Sequence, residues 1–164
     1  NFAVPLRSAA LAFARLCDSV DLPVERAAAC RKITTAMTTY PDMVAGPNRF
    51  DTELMLACQG RLVTKGGAEG YTGIGLLPGA LGAGSPALGI AMKISDGDPT
   101  GRARAAAVLE VLRQLGALSG EQLQQLSKYG PARPIENWRK LEVGRLYPLF
   151  QLPEIHAIPV ARAT

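Results

Sequence analysis

Apolar side chains at Leu6, Ala9, Ala10, Phe13 and Leu16 recur at helical spacing while Arg7 and Arg15 fall off the stripe. This predicts an amphipathic helix from Pro5 to Leu16, with Pro5 suited to its first turn. The turn-like Asp18-Ser19-Val20-Asp21 separates it from a second run that Pro23 opens and that extends to Thr39. There Val24, Ala27, Ala28, Ile33 and Met37 form the expected buried stripe. Tyr40-Pro41 ends this helix, because the residue before a proline is pushed out of the α region. Asp42 to Arg49, with Gly46-Pro47-Asn48, predicts a loop, and Asp51 or Thr52 caps a short helix through Ala57 that stops at Gly60.

The period then shortens to that of strands. Arg61 to Lys65 predicts a strand ending at Gly66-Gly67, Tyr71 to Leu77 a second with Pro78-Gly79 as its turn, and Ala87 to Ser95 a third. In the third, Leu88, Ile90, Met92 and Ile94 alternate with Gly89, Ala91, Lys93 and Ser95, the pattern of an antiparallel strand buried on one face. Asp96-Gly97-Asp98-Pro99-Thr100 turns the chain into a helix from Arg102 to Leu115, with Ala106, Leu109, Leu112 and Leu115 on its core face and Gly116 as terminator. A shorter helix is expected from Glu121 to Ser127 and a strand from Val143 to Tyr147. The fold class is therefore α+β, an antiparallel sheet with packed helices. Residues 1–130 hold the helices and the sheet, residues 131–164 form a Pro-rich C-terminal extension of the same domain, and no repeat or long linker divides them.

Composition narrows the classes. At 164 residues with 48% hydrophobic and 20% charged positions, the chain falls in the one-domain range and can bury a core. A net charge of +4, of which +3 lies in residues 128–164, is too mild to argue for nucleic acid. The longest uncharged stretch, Tyr71 to Met92, contains six Gly and two Pro and reads as sheet rather than a membrane span. Cys17, Cys30 and Cys58 lie 13 and 28 residues apart, with neither metal-finger spacing nor an even-numbered disulfide framework. They read as small buried hydrophobes, and a reducing, cytoplasmic setting is expected. No secretory signal pattern is visible and the chain opens on Asn1 rather than Met, so an earlier part of the gene product is expected to be removed or to form a separate chain.

The stretch richest in chemistry is Thr64-Lys65-Gly66-Gly67-Ala68-Glu69-Gly70. A lysine at a strand end followed by glycines puts an ammonium beside backbone that other groups approach closely. Desolvated or set near other cations, such a lysine loses proton affinity and takes the proton of a serine nucleophile. Backbone N–H groups after it, at Gly67 or Ala68, are candidate donors to the oxyanion of a substrate carbonyl. The plainer alternative is a Gly-rich turn with a solvated lysine. A lysine-glycine strand, two further antiparallel strands and a long helix resemble the C-terminal part of the serine β-lactamase and glutaminase-like fold, although Gly66 stands where that fold has a hydroxyl residue.

A closer resemblance spans most of the chain. Met43-Val44-Ala45-Gly46-Pro47-Asn48-Arg49-Phe50-Asp51-Thr52-Glu53-Leu54-Met55, Lys65-Gly66-Gly67-Ala68-Glu69-Gly70, and Gly89-Ile90-Ala91-Met92-Lys93-Ile94-Ser95-Asp96-Gly97-Asp98 followed by Arg102-Ala103 resemble the asparaginase II family, the thermolabile Rhizobium-type L-asparaginases. Asn1-Phe2-Ala3-Val4-Pro5-Leu6 and Asn137-Trp138 are similar to it as well. The resemblance implies a serine-dependent amidohydrolase that converts L-asparagine to L-aspartate and ammonia through Ser-Lys pairs. Lys65 matches the lysine that partners one family serine. The serines, and a cysteine-containing zinc site, are implied to lie in an N-terminal half outside this chain. The chain carries no cofactor of its own on this reading, resembles only the C-terminal half, and is expected to be inactive alone.

On that reading Lys65 and Ala68 are the candidate catalytic residues, as proton acceptor or shuttle and as oxyanion donor. Arg49, Asp51, Gly67 and Glu69 are the candidate substrate-binding residues for an amino-acid amide. A guanidinium at Arg49 suits an α-carboxylate and a carboxylate at Asp51 an α-ammonium, with a cap and a surface charge pair as the alternative. Glu69 either neutralises Lys65 or shapes the turn. Lys93 reads as a solvated lysine, and Asp96 and Asp98 as a helix entry rather than a calcium loop, which lacks its ligand ladder. His156, alone in the tail, is a poor general base. The expected partners are the missing N-terminal half and a second copy in a homo-oligomer, with neither nucleic acid nor membrane. The competing reading is a truncated, non-catalytic module of the same fold that associates with a partner chain. Nucleotide binding fits poorly, since neither GxGxxG nor GxxxxGK[ST] occurs.

Overall fold

The computed structural model describes residues 3–153. The expected α+β class is found, with a three-stranded antiparallel sheet packed against helices. Four helices precede the sheet: α1 (Leu6–Cys17), α2 (Val24–Thr39), α3 (Asp42–Ala45) and α4 (Phe50–Ala57). The segment expected to be a loop thus contains a single turn of helix, α3, which Gly46 ends at φ 92°. Neither Asp51 nor Thr52 caps α4. Arg49 occupies the cap position, and both expected caps lie buried inside the first turn. Thr52 instead turns its hydroxyl back to Gly46 O at 2.7 Å, closing the α3–α4 connection. The stripe of α2 is also displaced: Ala27 and Thr34 are buried, whereas Val24 is 77% exposed and Ile33 49%. Val24 and Ile33 therefore point outward, and Ala27 and Thr34 face the fold.

Strands β1 (Leu62–Gly66), β2 (Tyr71–Leu76) and β3 (Leu88–Lys93) pair in sequence order, with Thr64 opposite Ile74 and Gly75 opposite Gly89. On one face Leu62, Ile74 and Leu76 join Leu54, Met55, Val108, Leu109, Leu112 and Leu126 in the core. The other face is not solvated. Gly73, Gly75 and Gly89 leave a shallow surface there, and α1 lies in it. A Cβ at Gly73 would overlap the Phe13 ring, one at Gly75 the Cys17 sulfur, and one at Gly89 the Ala10 carbonyl. Alternation along β3 therefore separates large from small residues, not buried from exposed, and every residue of β3 before Lys93 is half-buried. Burial pushes the Cys17 and Cys58 thiols up to about 12, which keeps both as neutral packing groups.

Helix α5 (Ala103–Gln114) buries Ala105, Ala106, Val108, Leu109 and Leu112 against the sheet. Its N-terminus is closed by Asp98, five residues ahead of Ala103. The Oδ1 of Asp98 accepts the N–H groups of Arg102 at 2.9 Å and Ala103 at 3.1 Å, and Oδ2 accepts that of Arg104 at 2.9 Å. Burial opposes ionisation of Asp98, and these three N–H groups overcome it and hold the carboxyl below its ordinary range. Helix α6 (Gly120–Gln125) begins in a capping box between Ser119 and Gln122, whose amide also donates to Ala57 O at 2.6 Å. Beyond it, β4 (Arg133–Glu136), which the pattern did not reveal, pairs with the expected β5 (Glu142–Leu146) in a separate two-stranded sheet. No helix of the described residues is long and apolar enough to cross a membrane. His156 lies outside the described residues.

The close approach of α1 makes Gly89 intolerant of a side chain, because the opposing atom is backbone. Gly89→Ala is expected to lower the unfolding free energy in urea by about 2–3 kcal/mol. Gly79→Ala, in open space but at φ 84°, is expected to cost only about 1 kcal/mol. Equal losses would remove the α1 approach as a constraint. Asp98→Asn, which tolerates the same φ of 48°, is expected to cost about 1 kcal/mol at neutral pH. The folded carboxyl titrates below the unfolded one, so its contribution is complete above about pH 4 and is lost as pH falls through the folded value. The gap between wild type and Asp98→Asn should therefore narrow in acid unfolding curves.

Candidate functional site

Strand β1 is an edge of its sheet, and its outer side faces α3 and α4. Where β1 ends, a cleft of ≈ 350 Å³ opens, lined by Arg49, Asp51, Lys65, Gly66, Gly67 and Arg104 together with Phe50 and the chain from Met43 to Gly46. Two local choices create it. Gly46 at φ 92° and Asn48 at φ 59° turn the chain sharply from α3 into α4, bringing Arg49 and Asp51 beside the strand end. Gly66 then admits two charged groups against the strand: a Cβ there would lie 2.7 Å from Arg104 Nη1 and 2.8 Å from Asp51 Oδ2. A hydroxyl residue has no room at this position, because the guanidinium and the carboxylate occupy it.

Asp51 is the hub. Its side chain is buried; Oδ2 accepts the Gly66 N–H at 2.6 Å, and Oδ1 accepts Arg104 Nη1 at 2.9 Å. The same Nη1 donates to Thr72 Oγ1 at 3.0 Å, and the guanidinium carbon stands 5.5 Å from the Phe50 ring centroid. Phe50 is in turn held edge-on by Tyr129, with centroids 5.0 Å apart. The strand edge, α4, the middle strand and α5 thus meet on one ion pair.

Of the residues expected from sequence, the cleft brings together Lys65, Gly67, Arg49 and Asp51. Lys65 is exposed, and its ammonium folds onto Gly66 O at 2.6 Å. The Gly67 N–H is engaged by Tyr71 O at 2.9 Å. The Ala68 N–H has no partner among the described residues, but Ala68 does not line the cleft. Glu69 sits in the turn at φ 55° and faces Lys93: its carboxylate lies 3.7 Å from that ammonium, and its carbonyl accepts from it. These two line a second shallow hollow with Ser95 and Asp96. Asp96 accepts the Asp98 N–H at 2.9 Å, so the Asp-Gly-Asp segment is a helix entry. Among the described residues, no serine, threonine or cysteine lines the Lys65 cleft. Among the described residues, no three His, Cys, Asp or Glu side chains gather as metal donors.

Sequence reasoning missed Arg104, Thr72 and Phe50. One signal was available for Arg104: a cation in the first turn of a helix opposes the macrodipole and needs a compensating anion.

The protein-family model described as L-asparaginase II matches residues 1–148 of the chain. A search of curated proteins finds no match.

Removing the Asp51 carboxylate strands the Arg104 guanidinium and an edge N–H. Asp51→Ala is expected to lose about 3 kcal/mol in urea unfolding, and Asp51→Asn less, since its carbonyl still accepts one of the two donors. A loss for Asp51→Ala as small as that of an exposed ion-pair variant such as Glu142→Ala would show that the pair holds nothing in place.

Proposed function

The chain belongs to the L-asparaginase II family, and from that premise we propose that it forms part of a serine-dependent amidohydrolase converting L-asparagine to L-aspartate and ammonia. The observation that carries this reading is the cleft at the β1 edge, which Lys65 lines together with Arg49 and Arg104 and which no hydroxyl side chain of the described residues lines. A serine from the N-terminal half of the enzyme supplies the nucleophile. Its Oγ attacks the side-chain carbonyl carbon while its proton passes to neutral Lys65 Nζ, giving a tetrahedral intermediate. Collapse breaks the C–N bond, Lys65 returns the proton to the departing nitrogen, and ammonia leaves. Water then hydrolyses the ester to aspartate and restores the serine.

Lys65 is exposed here. Docking of the serine-bearing segment over the β1 edge desolvates it and lowers its proton affinity. The N–H of Ala68, without a partner among the described residues, lies outside the cleft and serves as the oxyanion donor only once the covering segment draws the turn over it. Guanidinium groups draw the substrate's α-carboxylate, with Arg49 at the exposed side. Each Asp51 oxygen accepts one donor, from Gly66 or from Arg104, and keeps a second lone pair for the α-ammonium. The zinc implied by the family resemblance has no donor set among the described residues, and no step here uses it. One observation favours the competing, non-catalytic reading: the Lys65 ammonium is turned onto the carbonyl of its own neighbour.

Ammonia release from L-asparagine discriminates. The chain alone is expected to be silent, its mixture with the N-terminal segment active, and the mixture with Lys65→Ala reduced by about 10³-fold or more. A stable complex without activity would establish the non-catalytic module.

A further inference from the structure

We propose that Arg104 is the fixed anchor for the carboxylate of the ligand in the β1-edge cleft, with Arg49 in a secondary role; the identity of that ligand rests on the amidohydrolase reading. A guanidinium carries five N–H donors in a rigid plane. Both protons of Arg104 Nη1 are committed, one to Asp51 at 2.9 Å and one to Thr72 at 3.0 Å. Nε and Nη2 donate to no described residue, and Arg104 lines the cleft. The remaining edge, one Nε–H beside one Nη2–H, has the spacing of the two oxygens of a carboxylate.

Two features separate Arg104 from Arg49. The first is order. Asp51, Thr72 and the Phe50 ring restrain the Arg104 guanidinium on three sides, so little side-chain freedom remains to be lost on binding. Arg49 is exposed and its side chain bonds no described residue, so every contact it makes must first immobilise a long side chain. The second is charge. Asp51 balances Arg104, but its carboxylate is also shared with the Gly66 N–H, and Lys65 and Arg49 line the same cleft without a carboxylate partner there. The cleft holds three cations and one anion, and an incoming carboxylate meets an uncompensated positive field.

Calorimetric titration of the 164-residue chain with L-asparagine and with L-asparaginamide, whose α-carboxylate is an uncharged amide, tests the assignment. Wild type is expected to bind L-asparagine in preference to the amide. Arg104→Lys, which keeps a cation beside Asp51 but removes the fork, is expected to weaken L-asparagine about tenfold or more and leave L-asparaginamide unchanged. Arg49→Lys is expected to change the ratio less. Thr72→Val, which unties the guanidinium without removing it, should give a smaller loss of the same selectivity and serves if Arg104→Lys fails to fold. Absence of saturable L-asparagine binding by wild type, an unchanged ratio in both the Arg104 and Thr72 variants, or a larger loss at Arg49 would overturn the anchor. Ammonia assays report separately on the amidohydrolase reading, which can fail while Arg104-dependent carboxylate binding stands.

Discussion

The buried carboxylate of Asp51 is the constraint on which the cleft end of the fold depends. An unpaired carboxylate in that position would be strongly destabilising, and burying an ion pair is favourable only when its remaining hydrogen-bonding capacity is met. Here one oxygen closes the free edge of β1 through the Gly66 N–H and the other holds Arg104, which reaches Thr72 on the middle strand. The pair therefore sets the end of β1 against α4 and α5 together. Lys65, next to Gly66, takes its place from that arrangement, as does Arg104 on the cleft wall. Gly66 is part of the same constraint, since only the absence of a side chain lets both charges approach the strand.

The opposite face of the sheet obeys a different rule. Glycines at positions 73, 75 and 89 remove the side-chain layer that normally separates a helix from a sheet, and α1 settles close to the backbone of β2 and β3. Packing there is between backbone and small groups, with the Phe13 ring and the Cys17 thiol filling the hollows. The sheet is thereby covered on both faces while its β1 edge stays accessible at the cleft. At that edge stand an exposed lysine and, beyond it, an Ala68 N–H with no partner among the described residues.

Much of the fold was legible in the sequence because it is local. The apolar spacing of residues 6–16, the change of period at Arg61, the alternation from Leu88 to Ile94 and the Gly116 stop each report a backbone geometry that neighbouring residues impose on one another. The Lys65-Gly66-Gly67 strand end was legible for the same reason. Errors arose where tertiary packing outweighed local preference. Asp51 and Thr52 have the chemistry of caps, yet each is more useful inside the helix, one holding a distant arginine and one closing the α3–α4 turn. Val24 and Ile33 carry the apolarity expected of a buried stripe, but the surface beneath α2 accepts Ala27 and Thr34.

The sequence by itself determined the α+β class, the positions of most elements, the strand-end lysine and the family resemblance, since all of these are written in spacing and in contiguous motifs. Only the tertiary structure decided which charges share a site. Arg104 lies 53 residues from Asp51 and Thr72 lies 32 residues from Arg104, so their meeting depends on how α5 is set across the sheet. Hydrophobic periodicity states which face of an element is buried and is silent about which polar group on another element will satisfy the one at its margin. That pairing is settled by the requirement that a buried charge find its partner, and the requirement acts only once the chain has folded.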